Sequence, residues 1–294
     1  MNFEKYVLDN NLGLIKTNYS FKELTTIGTG GNIRFLYCPN SIKSLCLAFK
    51  YINENNLKYF IIGNGSNVLA SDDFFDGIVI SMKSLSSFIE IYDDYVNVSS
   101  SYSTSKLAYD LSKLELGDLS YLGGIPGLVG GAIYNNSGAY NKEIKDSIID
   151  VTVINELGEI ITLTKDNLDF KYRHSIFHNN KNIIVSARFR VEKIQTLDKL
   201  KEQLKKRSIT QPLEYKNVGS IFKNNSTIEA WKIVDMLNLR GYRLNDAMIS
   251  QKHANFIVNV SNATSTDILT IIDLVKERAK SELGITLNTE ITII

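Results

Sequence analysis

The chain has 294 residues, 44% of them hydrophobic and 22% charged, with a formal net charge of +1. That composition can bury a large core and suits two or three domains, and a near-neutral charge offers no basic field for nucleic acid. No apolar run approaches the roughly 18–20 residues that span a bilayer, and Met1-Asn-Phe-Glu-Lys5 lacks a signal organisation, so a cytoplasmic protein without membrane insertion is expected.

In chain order, Thr25-Thr-Ile-Gly-Thr-Gly-Gly-Asn32 is a turn-rich segment leading into a strand over Ile33–Tyr37. Ser41 can cap a helix with Ile42, Leu45, Phe49 and Ile52 on one face. Cys38 and Cys46 have no metal-ligand spacing with His174, His178 or His253 and read as buried small hydrophobes. Tyr59-Phe-Ile-Ile62, ending in Gly63-Asn-Gly-Ser-Asn67, and Gly77-Ile-Val-Ile-Ser81 read as strands that complete a small β-α-β lobe. Alternation over Phe88–Tyr92 and Tyr95–Val98, broken at Asp93-Asp94, predicts a hairpin, followed by a helix carrying Leu107, Leu111 and Leu114. Strands at Val151–Ile154, Ile160–Leu163 and Ile183–Val191 make a second α+β lobe. A charged helix with Leu197, Leu200 and Leu204 inward, and Lys199, Lys201, Lys205, Lys206 and Arg207 on a solvated face, marks a boundary near residue 195. A strand at Phe256–Val260, a helix opened by Ser265 and stopped by Gly284, and an alternating strand over Ile285–Ile294 follow.

The segment Gly123–Gly138 holds six of the 18 glycines, interleaved with Ile125, Leu128, Val129, Ala132 and Ile133. A flexible linker would be polar, whereas this stretch must run through a packed interior. Converging amides unobstructed by Cβ atoms form a nest for an anion, here a pyrophosphate. No Lys or Arg occurs from Leu114 to Asn141, so backbone amides and Asn135, Asn136 and Ser137 must supply the stabilisation. The segment contains neither a P-loop nor a clean dinucleotide fingerprint. A tight helix–strand contact is the competing explanation. The loops at Thr25–Asn32 and Gly63–Asn67 are each explained as well by turns, but three Gly/Asn/Ser loops beside strands are better explained by one long nucleotide cofactor.

Lys171-Tyr-Arg-His-Ser175 and Gly219-Ser-Ile-Phe-Lys223 are clusters of another kind, and no G-x-S-x-G elbow makes either a serine hydrolase. Taken singly, Arg173 and Ser220 read as structural, and periodicity places Glu290 on the solvent face of the last strand.

Together these pieces resemble the UDP-N-acetylenolpyruvoylglucosamine reductase family. The resemblance runs from about Thr25 to the C-terminus. It rests on Thr26-Ile-Gly-Thr-Gly-Gly31, Gly63–Asn67, Gly124-Ile-Pro-Gly-Leu-Val-Gly-Gly-Ala132, Tyr172-Arg-His-Ser175, Gln211-Pro-Leu-Glu-Tyr215, Gly219–Lys223, Ser250–Asn259 and Glu290. It implies an α+β fold: a two-lobed vanillyl-alcohol-oxidase-type FAD-binding region plus an α/β substrate-binding domain. The implied bounds are 1–81 and 82–195 for the lobes, 196–284 for the substrate domain and 285–294 for a strand returning to the FAD region. The short stretch between Arg190 and Ser220 resembles the compact subclass that lacks an extra substrate-domain loop.

The resemblance implies a cytoplasmic monomer in peptidoglycan synthesis, with FAD as cofactor, NADPH as reductant and a UDP-sugar nucleotide as substrate. Hydride added to an enolpyruvyl group pushes charge onto its carboxylate, so donors or cations are needed there. By the family's pattern Arg173 and Glu290 serve this, Glu290 as a protonated carboxyl, and Ser220 supplies the proton. The implied FAD contacts are Thr26, Gly28, Gly30, Gly31, Gly63, Asn64, Gly65, Ser66, Asn67, Gly124, Pro126, Gly127, Gly130, Gly131, Ala132, Asn136, Gly138 and Ala139. The implied substrate contacts are Tyr172, Lys223, Lys252, His253 and Asn255. The chain departs from the family's pattern at Asn141 in place of a glycine, over Asn224–Trp231, and at Leu244-Asn-Asp246 in place of Gly-Gly. The alternatives are an FAD oxidoreductase of the same fold with a different acceptor, and a non-catalytic nucleotide-sugar-binding relative.

Overall fold

The computed structural model describes residues 2–117, 119–225 and 227–294. The chain forms two compact units: residues 1–17, 35–64 and 76–205 make the first, and residues 18–34, 65–75 and 206–294 the second.

The first unit holds two sheets. One has the order Gly13–Lys16, Asn32–Pro39, Phe75–Ser81, Tyr59–Ile62, with Tyr59–Ile62 parallel to Phe75–Ser81 in the register Tyr59↔Ile78. The first residues of Asn32–Pro39 and Phe75 itself group with the second unit. Helix Ile42–Glu54 begins as expected, Ser41 accepting from the Ser44 amide, and Leu45, Ala48, Phe49 and Ile52 are buried. Cys38 and Cys46 are half-buried free thiols whose pKa values burial raises. The other sheet is antiparallel in the order Ile160–Thr164, Ile148–Ile154, Ile183–Arg190, Tyr95–Ser99, Ile89–Ile91. Val96, Val98, Val151, Val153, Ala187 and Phe189 form its core face, joined by Leu107 and Leu111 of helix Thr104–Lys113. Each fully buried aliphatic side chain contributes about 1.5–3 kcal/mol. Helix Leu197–Thr210 buries Leu200 alone, and Leu204 is 40% exposed. Of the expected inward stripe of three leucines, Leu200 is fully buried and Leu197 half-buried, while Leu204 faces solvent.

In the second unit an antiparallel sheet runs Lys216–Asn217, Ile257–Asn259, Ala247–Ile249, Arg243–Leu244. Ile233 and Val234 of helix Ala230–Met236 and Ile268, Ile271, Ile272 and Val275 of helix Ser265–Leu283 share its core. The long helix opens at Ser265, as expected, and is capped by Thr264: Thr264 accepts from the Asp267 amide, and Asp267 answers the Thr264 amide. That reciprocal box closes two orphan donors. Gly284 ends the helix in the left-handed region, φ 69°.

The expected strand over residues 285–294 is largely absent: only Thr292–Ile293 is regular, parallel to Val68–Leu69, with a bridge at Thr289. The segment is nevertheless bonded along its length. Lys223 N donates to Asn288 O and Glu290 N to Ile221 O, after which Thr292 N donates to Asn67 O and Ile294 N to Leu69 O. It changes partner midway, so no continuous ladder forms. Among the described residues no helix is long and apolar enough to cross a membrane.

Candidate functional site

In the first unit the glycine segment starts as a turn. Thr104, completely buried, donates its hydroxyl to Ile125 O at 2.5 Å and its amide to Gly127 O at 3.2 Å, and Gly127 sits at φ 141°. Helix Val129–Tyr134 follows. The amides of Val129 and Gly130 donate to Tyr102 O and Ser100 O, both at 2.9 Å, so the amide of Gly130, an expected cofactor contact, is spent on the chain. The amides of Gly127, Leu128 and Gly131 donate to no backbone carbonyl among the described residues. A Cβ on Gly131 would meet nothing within 4 Å. The adjoining Ser100 is 2% exposed, and its hydroxyl has no partner among the described residues. Three uncommitted amides, an open glycine and an orphaned hydroxyl suit a pyrophosphate. Ser100 was not singled out by sequence reasoning; a run of serines after a strand is its sole signal.

Gly130 needs to be glycine because a Cβ there would lie 2.9 Å from Ser100 Cβ, and Gly138 because its Cβ would lie 2.2 Å from Lys142 O. Asn136, expected at the cofactor, is wholly buried, with both side-chain polar atoms engaged within the chain. Its Nδ2 donates to Glu143 Oε2 and Lys171 O, and its Oδ1 accepts from Lys145 N, all at 3.0 Å. Gly138-Ala139 pairs with Lys142-Glu143 across a two-residue turn in which Tyr140 and Asn141 are both left-handed, φ 54° and 61°. Asn141 thus takes the backbone that a glycine would supply. Arg173 stands in a second tight turn, where Lys171 and His174 exchange backbone hydrogen bonds at 3.1 Å and Arg173 has φ 52°. An arginine there costs about 1–2 kcal/mol, the kind of strain that clusters at functional positions. Its guanidinium donates to Gly138 O at 3.0 Å and lies over the half-exposed Tyr172 ring.

In the second unit, Thr26 Oγ1 donates to Asn217 O at 2.6 Å, and Asn259 Nδ2 donates to Ile27 O at 2.9 Å in the same loop. The glycines here face their own chain. Cβ atoms on Gly30, Gly31 and Gly65 would lie 2.6 Å from Phe21 Cβ, 2.2 Å from Asp73 O and 2.1 Å from Leu24 O. Gly28, at φ 70°, is covered by the Lys216 side chain, whose Cδ would be 3.0 Å from a Cβ. Lys216 is a residue that the sequence reading passed over. Gly63 and Asn64 close the first unit's strand Tyr59–Ile62, and a Cβ on Gly63 would make an ordinary 3.4 Å contact with Leu128.

Ser220 follows Gly219, which has φ 80° and open space where its Cβ would be. The main chain beyond it is clamped by Asn255, which accepts from Phe222 N and donates to Phe222 O, both at 2.9 Å. Asn255, expected at the substrate, is therefore buried and committed to holding the Ser220 segment. On its other side Glu290 N donates to Ile221 O at 2.8 Å, and Asn67 Nδ2 reaches Glu290 O at 3.2 Å. Ser220, Glu290 and Asn67 are thus brought onto one bonded framework. Lys252 is tethered to Ser208 O at 2.8 Å and Glu214 at 3.4 Å. Burial, assisted by Arg240, holds the His253 imidazole below its ordinary pKa.

A family model described as the C-terminal domain of UDP-N-acetylenolpyruvoylglucosamine reductase matches residues 211–294, and one described as an FAD binding domain matches residues 33–164. The UDP-N-acetylenolpyruvoylglucosamine reductase of Clostridium tetani is 37% identical over 302 residues, covering 100% of this chain and 98% of that protein. The chain belongs to the UDP-N-acetylenolpyruvoylglucosamine reductase family. The Staphylococcus aureus reductase is 35% identical over 285 residues, 95% of this chain and 92% of its own. The crystal structure of the Thermus caldophilus reductase superposes with a TM-score of 0.80 at 28% identity, covering 95% of this chain and 99% of that one. Chitooligosaccharide oxidase, 11% identical with a TM-score of 0.50 over 65% of this chain and 44% of its own, shares the fold. The fold is the expected α+β, vanillyl-alcohol-oxidase-type architecture.

Against the reductase family's pattern, the departures have structural explanations. Asn245, with φ 51°, and Asp246 form the turn between Leu244 and Ala247, so a left-handed asparagine stands in for glycine. Asn245 also donates to Asp267 at 2.7 Å. Trp231 packs against the rim of the second unit's core; Ser226, in the same divergent stretch, lies outside the described residues.

Proposed function

We propose that the chain is the flavoenzyme that reduces the enolpyruvyl group of UDP-N-acetylglucosamine enolpyruvate to UDP-N-acetylmuramate in peptidoglycan synthesis. The observation that carries this reading is the bond from Glu290 N to Ile221 O, which ties the terminal glutamate to the Ser220 segment. Bound FAD, reduced by NADPH, would supply the hydride. Residues 1–195 carry the FAD role and 196–284 the substrate role. The pairing of Thr292–Ile293 with Val68–Leu69 supports residues 285–294 as a strand returning to the FAD-binding part of the chain.

Arg173 and Glu290 stabilise the charge that develops on the substrate carboxylate, and Ser220 Oγ delivers a proton to the carbon left as a carbanion. Gly127, Leu128 and Gly131 offer their amides to the pyrophosphate, while Tyr172, Lys223, Lys252 and His253 serve the sugar nucleotide. The protein works as a cytoplasmic monomer. Trp231 and Asn245 have packing and turn roles, so neither gives a reason to prefer a different acceptor.

Anaerobic reduction by NADPH, then reoxidation by the enolpyruvyl sugar nucleotide, tests the reading. Reduction without substrate-dependent reoxidation would refute it, and a protein that never takes up FAD would refute every flavin reading. In Ser220→Ala, FAD reduction by NADPH should persist while turnover of the sugar nucleotide falls by about 10²–10⁴-fold. Unchanged turnover would remove Ser220 as the acid.

A further inference from the structure

Arg173 is gripped from one side by the hairpin that pairs Gly138-Ala139 with Lys142-Glu143. Its Nη2 donates to Gly138 O at 3.0 Å, and its Nη1 lies 3.7 Å from Glu143 Oε1, with both side chains largely buried at 17% and 18% exposure. Glu143 is itself fixed. Its Oε2 accepts from Asn136 Nδ2 at 3.0 Å and meets Lys145 Nζ at 2.8 Å. Asn136 also donates to Lys171 O, at the base of the turn that carries Arg173. One buried amide therefore holds both the carboxylate and the turn.

We propose that Glu143 is a positioning residue for Arg173, its carboxylate fixing where the guanidinium points and offsetting part of its charge. The inference rests on the reading of Arg173 as the cation for the substrate carboxylate. A guanidinium has many rotamers and loses little by wandering, whereas a cation that stabilises a developing charge must be in place beforehand. At 3.7 Å the pair is looser than a direct hydrogen bond, so Glu143 acts on the guanidinium through its charge as an ion pair.

The test compares Glu143→Gln, Arg173→Ala and the double variant in the holoenzyme. Gln keeps an oxygen to accept from Asn136 and removes the charge. In Glu143→Gln, reoxidation of the reduced enzyme by the enolpyruvyl sugar nucleotide should slow about tenfold. FAD affinity, NADPH reduction and melting temperature should stay at wild-type values. In the double variant the Glu143 substitution should add nothing to the loss from Arg173→Ala. An additive loss, an unchanged rate in Glu143→Gln, or a loss that tracks FAD affinity and melting temperature would overturn the inference. Arg173→Ala with wild-type reoxidation would instead refute the reading on which it rests.

Discussion

Gly65 in a loop and Gly131 in helix Val129–Tyr134 both stand in glycine-rich segments, yet a side chain is excluded from the first by the chain itself and from the second by no described residue. At Gly65 a Cβ would be driven to 2.1 Å from Leu24 O; at Gly131 there is open space to 4 Å. Gly30 and Gly31 resemble Gly65, and Gly219, beside Ser220, resembles Gly131. One set of glycines lets backbone pack on backbone. The other leaves room for something that is not protein. Glycine density marks both and separates neither, because the deciding variable is what lies across from the missing Cβ.

Substitutions by alanine should split the two sets. Gly31→Ala and Gly65→Ala should have the largest effect, losing about 3 kcal/mol or more, since the opposing atoms are backbone oxygens that cannot step aside. Urea denaturation would show it, and a near-wild-type midpoint in either variant would break the distinction. Gly219→Ala has space, so only its positive φ opposes it, at about 1–2 kcal/mol. A loss as large as at Gly65 would mean that the position is not open.

The smallest effect concerns the buried side of the second unit. His253 binds its proton less readily in the folded chain than at the ordinary 6.5 of the unfolded one. Its contribution is therefore fully present above the unfolded pKa and is lost as pH falls through the folded value. Melting temperatures followed from about pH 8 to about pH 5 should fall less steeply in His253→Gln than in the wild type. Parallel curves would show that His253 has no part in the pH dependence.

The motifs and most elements were legible in the sequence because their signals are local: the Ser41 cap, the hairpin broken at Asp93-Asp94 and the stop at Gly284 all appear where residue chemistry puts them. Side-chain use was not legible. Asn136 and Asn255 sit in ligand-like motifs, yet both spend their amides on distant backbone, a fact that depends on tertiary partners such as Lys171 and Phe222. The alternation over residues 285–294 correctly predicts buried Leu287 and Ile291 but not the 42% exposed Ile293, and periodicity says nothing about a change of partner partway along. The resemblance supplied what spacing lacked, by weighing Arg173, Ser220 and Glu290 together.

The central claim is that Gly131 is open because a cofactor phosphate belongs beside it, and titration of Gly131→Ala with FAD tests this most directly. Alanine in an unobstructed helical position should leave the fold intact or raise stability by about 0.5–1 kcal/mol, while FAD affinity falls at least tenfold. Wild-type FAD affinity in a folded Gly131→Ala protein would contradict the account.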